Sequence, residues 1–314
     1  MPTYNSLTDR SAATPLIPEE VANDILQNVP EQSAALTMFR QVRMGRKQQR
    51  MPVLSALPIA YFVSGDSGLK QTSQLSWENK YLNAEEIAVI VPVPEAVLDD
   101  ADFDIWGEAK PKIVEAFGRV LDAAVFFGTN APATWTDANI AAKAIAAGNT
   151  YVRGTKTAAQ GGLAGDISAG FSTVETDGYD VNGIVANRLY KGLLRSTRNA
   201  QGDKLPEVTQ QQWYGEDVSY PLRGLWPTGA SAVESIYGDM TAGIIGIRQD
   251  ITWKVLDQAV ITNDSGAVVL NLAQQDSVAL RCVFRVGFAV ANPINFDNPD
   301  SATRYPFGVG QAPA

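Results

Sequence analysis

The chain predicts an α+β fold, with an extended β-hairpin, a long helix set against β-strands, and a separate mixed α/β middle region. Three observations carry that reading. Residues 237–256, YGDMTAGIIGIRQDITWKVL, hold a Gly-Asp turn and a short buried strand (Ile244, Ile245, Ile247). Beyond Arg248-Gln249-Asp250 a second strand follows, in which Ile251, Trp253 and Val255 alternate with other residues. Residues 278–293, VALRCVFRVGFAVANP, alternate again: Val278, Leu280, Cys282 and Phe284 point one way and Ala279, Arg281, Val283 and Arg285 the other. Between 104 and 128, Ile113, Phe117, Val120, Leu121, Ala124 and Phe127 recur at helical spacing.

Taken in chain order, the first distinctive stretch is basic. Arg40, Arg43, Arg46, Lys47 and Arg50 fall within RQVRMGRKQQR, and no acidic residue occurs from Gln32 to Gly65. Phosphate contacts need only such side chains, but no aromatic residue interleaves them, so the strip is expected to pair with acidic groups of another copy.

Met51–Val63 and Trp77–Val93 then carry strand-forming residues on either side of SGDSGLKQTSQLS, a Gly- and Ser-rich tip. Ile87, Val89, Val91 and Val93 alternate, yet no neighbouring sequence supplies an obvious third strand. A two-stranded ribbon alone is marginal in water, so something else must cover it, and Lys70, Trp77 and Lys80 become interface candidates.

In the long helix Lys112, Glu115, Arg119 and Asp122 are expected on the solvent faces, and Gly128 is the stop. Pro111 either sits in the first turn or kinks the helix. Asp99, Asp100, Asp102 and Asp104 precede it, and capping explains them better than a bound cation. In the middle region, AAKAIAA (141–147) favours helix and Asn187 caps a second helix over Arg188–Arg195, closed by a turn around Asn199–Gly202. The Gly- and Pro-rich pieces Gly161–Gly170 and Pro227–Gly229 read as loops. On the last strand, Arg281 and Arg285 need acceptors nearby, as at a partner surface.

Composition narrows the chemistry. The 314 residues are 45% hydrophobic with a net charge of −9, enough apolar content for a real core. There is no histidine and a single cysteine, Cys282, so Ser-His-Asp, Cys-His and the usual zinc sites are excluded. Neither a P-loop nor a G-x-G-x-x-G occurs. No catalytic, cofactor-binding or metal residues are assigned, and a carboxylate-dependent hydrolase survives as a rival only if two acids converge in a cleft. The longest apolar stretch, Ile87–Leu98, is broken by Pro92, Pro94 and Glu95, so no membrane partner is expected.

The two terminal strand segments, in their order at the end of the chain, resemble those of the tailed-phage major capsid proteins with the Hong Kong 97-like fold. TPLIPEEVANDILQNVPEQSAAL (14–36) looks like that family's N-terminal arm, and VNGIVANRLYKGLLRSTRNAQGDKL (181–205) its A-domain strand, helix and turn. The resemblance implies an arm at 1–36, an entrance to the P-domain at 37–50 and an E-loop hairpin at 51–93. It further implies a P-domain with spine helix at 94–137, an A-domain at 138–272, and a closing P-domain strand and tail at 273–314. It implies a homo-oligomer of hexamers and pentamers forming an icosahedral virion shell in the host cytoplasm. Separate scaffolding, portal and decoration proteins and weakly contacted double-stranded DNA would be its partners. An encapsulin-type shell that loads enzyme cargo is the alternative. The family's Lys-Asn crosslinks, for which Lys70, Lys80, Asn292 and Asn295 would be the residues, are not expected here.

Overall fold

A computed structural model of the chain describes residues 33–58, 60, 62, 72–73, 75–100, 104–198, 202–204, 206–221, 224–263 and 265–314. The first elements are α1 (Ala34–Met38), β1 (Arg40–Arg43), β2 (Gln48–Ala56), β3 (Ser76–Pro94), α2 (Glu95–Asp100), α3 (Ile105–Phe127), α4 (Ile140–Ala147) and β4 (Thr150–Val152). Then come α5 (Gly162–Thr176), β5 (Gly183–Ala186), α6 (Leu189–Ser196), β6 (Gln212–Trp213), β7 (Glu216–Ser219) and β8 (Val233–Gly238). The chain finishes with β9 (Gly243–Leu256), β10 (Val260–Thr262), β11 (Val268–Asn271), β12 (Ser277–Val290) and β13 (Phe307–Gln311). Most of the expected arm (1–32), Lys70 with the hairpin tip at 63–71, Asp102 and Asn199 lie outside the described residues.

A five-stranded sheet runs β1-β9-β12-β3-β2. Leu280, Cys282, Phe284, Val286, Phe288 and Val290 of β12 form one buried face, packed with Ile113, Phe117, Leu121 and Val125 of α3. The period of two along β12 therefore meets the helical stripe of α3 in a single core. The expected pair of strands at 244–255 is one continuous strand instead. β9 keeps pairing with β12 throughout, and the interruption at Arg248–Asp250 survives as a bulge: Thr252 faces Val283, Gln249 faces Arg285 and Ile247 faces Val286. Polar residues accommodated in a bulge do not end a ladder.

Helix α3 begins after Asp104 and ends at Gly128, whose φ of 66° a side chain would resist. Pro111 lies inside the helix rather than in its first turn, so the helix forgoes the bond to the Gly107 carbonyl. Asp104 takes the N-cap position without a side-chain cap bond, and Asp99 and Asp100 end α2 instead of opening α3. The expected carboxylate cap is not made. The buried stripe is also rotated: Val120 is 47% exposed, whereas Asp122 is fully buried. The reason is α1, which packs here because Gly118 lets the Ser33 backbone approach the helix.

A six-stranded sheet, β4-β13-β8-β5-β7-β6, makes the second half. Its core gathers Tyr151, Ile167, Phe171, Ile184, Tyr190, Trp213 and Tyr237. Gly161–Gly170, expected as a loop, is the cap and first part of α5. The glycines there serve close packing: a Cβ on Gly170 would strike the rings of Tyr151 and Tyr237. Helix α4 matches its expected position; at α6 the N-cap is Arg188, without a side-chain cap bond, and Asn187, expected as the cap, sits one residue earlier with its Oδ1 accepting from the Leu189 amide at 3.1 Å. The C-terminal residues, expected as a tail, include β13, a fully paired strand between β4 and β8. Among the described residues no helix is long and apolar enough to cross a membrane.

Candidate assembly surface

Strand β3 does two jobs. Its first part, Ser76–Asn83, pairs antiparallel with β2, and Ala84–Pro94 pairs antiparallel with β12. The second part corrects the expectation that Ile87, Val89, Val91 and Val93 lack a third strand. Ile87 faces Phe284, Val89 faces Cys282 and Val91 faces Leu280, and all three pack against the core of their own chain.

The outer part of the ribbon is different. Residues 48–56 and 76–83 pair with each other, at the edge of the sheet. Trp77 is 62% and Tyr81 49% exposed, large apolar rings left in solvent.

Apart from Lys80, the groups that fix the root of this ribbon were not singled out in the sequence. The Trp135 indole N–H donates to the Asn83 carbonyl at 2.9 Å, Asn83 Nδ2 donates to the Thr134 carbonyl at 3.0 Å, and the Thr134 hydroxyl donates to Glu85 at 2.9 Å. Asp137 binds Lys143 Nζ at 3.0 Å and Lys80 Nζ at 3.5 Å, joining α4 to the hairpin. Burial pushes the Asp137 carboxyl up, but the two ammonium charges outweigh it and hold the group below the usual carboxylate range. On the other limb the Ile294 amide donates to the Leu54 carbonyl at 3.2 Å.

The nine sequence candidates within the described residues scatter over this surface. Arg40 and Arg43 lie on the edge strand β1, Arg46 and Lys47 in the turn beyond it and Arg50 on β2, all exposed. Two have acceptors within the chain: Arg43 reaches Asp250 and Lys47 reaches Glu85, each at 3.9 Å. Lys80 is turned inward to Asp137, so the candidates on the ribbon's free surface are Trp77 and Arg50. Arg285 meets Glu86 across the strands at 3.8 Å, and Arg281 is exposed opposite Ile90. Asn292 and Asn295 belong to the crossover from β12 to β13. There Arg304 Nε donates to Asn292 Oδ1 at 3.0 Å, and Asp177 accepts from Asn149 and Asn298 at 2.8 and 2.7 Å.

A second anchor ties down the start of the described chain. Asp122 accepts from the Ser33 hydroxyl at 2.6 Å and from the Ala34 and Ala35 amides at 3.0 Å each. Burial pushes its carboxyl up to about 6, with those hydrogen bonds pulling the other way. In the sequence only its place beside Leu121 hinted at burial. Among the described residues no cluster of acidic or thiol groups is arranged to hold a metal ion.

Comparison with known proteins places this architecture. A family model described as the phage capsid family matches residues 13–297. The major capsid protein of Staphylococcus phage 80alpha is 28% identical over 280 residues, covering 87% of this chain and 81% of that protein. A solved chain from Microbacterium phage Oxtober96 is 39% identical with a TM-score of 0.85, covering 98% of this chain and 100% of the other. One from Mycobacterium phage Bobi is 32% identical with the same TM-score and the same coverage of both. With a matched span from 13 to 297 and a fold shared over nearly its whole length, the chain belongs to the phage capsid family, as a major capsid protein of a tailed phage with the Hong Kong 97-like fold.

Proposed function

We propose that copies of this chain associate as pentamers and hexamers and close into an icosahedral shell around double-stranded DNA. The observation that carries this is the outer ribbon, whose strands pair with each other while Trp77 and Tyr81 stand in solvent. An isolated ribbon gains little by exposing such rings, and a second copy beneath it would bury them. Heterologous contacts of this kind generate closed rings when the rotation between copies closes.

In this reading residues 1–36 are an arm, 51–93 the hairpin that reaches a neighbour, 94–137 and 273–314 the P-domain and 138–272 the A-domain. Within the last segment β12 belongs to the five-stranded sheet, while β13 joins the six-stranded one. The role is structural rather than catalytic. The exposed arginines, Arg281 among them, are placed to meet neighbouring copies, and a chain of net charge −9 would touch packaged DNA weakly. Scaffolding, portal and decoration proteins would be separate chains, and assembly would take place in the host cytoplasm.

Sedimentation and electron microscopy of the purified protein test the reading. Closed shells or capsomers are the expected result, and a protein that stays monomeric at high concentration overturns it. Shells that carry an enzyme in place of nucleic acid would shift the reading to a cargo compartment.

A further inference from the structure

The five-stranded sheet carries opposite charge at its two ends. At one end β1 runs parallel to the beginning of β9, with Arg40 opposite Ile244 and Arg43 opposite Ile247, and the turn after it adds Arg46 and Lys47. At the other end Pro94 faces Ser277, and the Glu95 amide donates to the Asp276 carbonyl at 2.8 Å. That bond brings Glu95 beside Asp276, and Asp99 and Asp100 follow at the end of the six-residue α2, all four exposed. The stretch of β9 from Ile247 to Leu256 separates the two ends by roughly 30 Å at the usual rise of a strand.

We propose that the cationic strip at the β1–β2 corner of one copy docks on the acidic α2 corner of a second copy, coupling subunits head to tail. The proposal rests on the shell-forming reading above and names the surfaces it uses. The two ends lie several screening lengths apart, so they cannot neutralise each other within one copy. Internal pairing is slight. Arg43–Asp250 and Lys47–Glu85 are long pairs whose cations are largely exposed, a class that contributes little. Among the described residues no carboxylate pairs with Arg40, Arg46 or Arg50, and none of the four corner carboxylates has an ion pair. Protection of an edge strand would account for Arg40 and Arg43 but not for Arg46 and Lys47, which lie beyond it in the turn. DNA is the weaker partner for the strip: five basic side chains make a modest phosphate-binding footprint on a chain of net charge −9. An interface between one end of a subunit and the other end of the next is heterologous, the kind that builds rings.

Charge exchange tests this. One variant carries Arg43→Glu, Arg46→Glu and Lys47→Glu, and the other Glu95→Lys, Asp99→Lys and Asp100→Lys. Thermal melts confirm that each is folded. Alone, each reversed protein is expected to lose association by about a hundredfold, because like charges then face each other. Mixed in equal amounts they are expected to form rings of six again, since every contact in an alternating hexamer is complementary. Wild-type assembly is expected to weaken as salt rises. If the wild type forms shells and the strip variant forms them equally well, the proposal fails while the capsid reading stands. It fails in the same way if the strip variant forms shells that lose only DNA, or if the mixture forms no hexamers. A wild type that never assembles overturns both.

Discussion

The Ser33 hydroxyl donates a 2.6 Å hydrogen bond to Asp122, 89 positions further along the chain, tying α1 to the buried side of α3. With the Ala34 and Ala35 amides on the same carboxylate, a single side chain fixes the point from which the N-terminal segment departs.

Stability should therefore depend on pH in an unusual direction. The Asp122 carboxyl sits at about 6 in the folded chain against an ordinary 3.8, so between these values the native state keeps a proton that the unfolded chain releases. This group's stabilising protonation is complete below 3.8 and lost as pH rises through 6, a swing of about 3 kcal/mol. Urea midpoints at about pH 7.5 and about pH 4.5 should show the wild type gaining on Asp122→Asn with acidification. An identical pH response in both proteins would contradict the assignment.

Asp137 works in the opposite sense. Its carboxyl is held below the usual range, so its contribution is present above about 4 and lost as pH falls through the depressed value. Asp137→Asn, which frees Lys80 and Lys143, is expected to cost about 1–3 kcal/mol. It should also speed hydrogen exchange at Lys80–Asn83 without loosening β8. Unchanged exchange at the ribbon root would contradict a clamp.

Two glycine substitutions should diverge. A Cβ on Gly170 meets the Tyr237 hydroxyl at 2.7 Å and the Tyr151 ring, so Gly170→Ala should destabilise by about 1–3 kcal/mol. Gly192, inside α6, has open space around it, and Gly192→Ala should stabilise by up to about 1 kcal/mol. Thermal melts of the two variants decide the point.

Trp77→Ala should leave the fold of the free chain within about 0.5 kcal/mol, because the ring is mostly solvated there. Its effect is expected in shell yield, measured by sedimentation. A variant that assembles as well as the wild type would remove Trp77 from the contact.

Much of this was readable from residues because burial on one face leaves a period in the sequence. β12 and α3 announced themselves that way, and Gly128 marked the helix end. What escaped has a common cause: the partner lay far away along the chain. Ile87 to Val93 looked uncovered because their neighbour, 277–287, lies almost two hundred positions on. Asp122 looked solvated since its donors come from Ser33–Ala35. Gly161–Gly170 and the glycines of β13 read as loop and tail, since a glycine needed for a turn and one needed for room beside a ring are the same letter. In β13 the rings of Tyr237 and Tyr151 take the space a Cβ would need on Gly308 and Gly310.

The position of β13 bears on how subunits are made. This strand lies between β4 and β8 and shares hydrogen bonds with both, although it follows every other strand of that sheet in the chain. Until it leaves the ribosome, one sheet has a gap in its interior, and a prematurely terminated polypeptide could not fill it. Translation itself would then act as an inspector, admitting to the growing container only polypeptides that extend through β13.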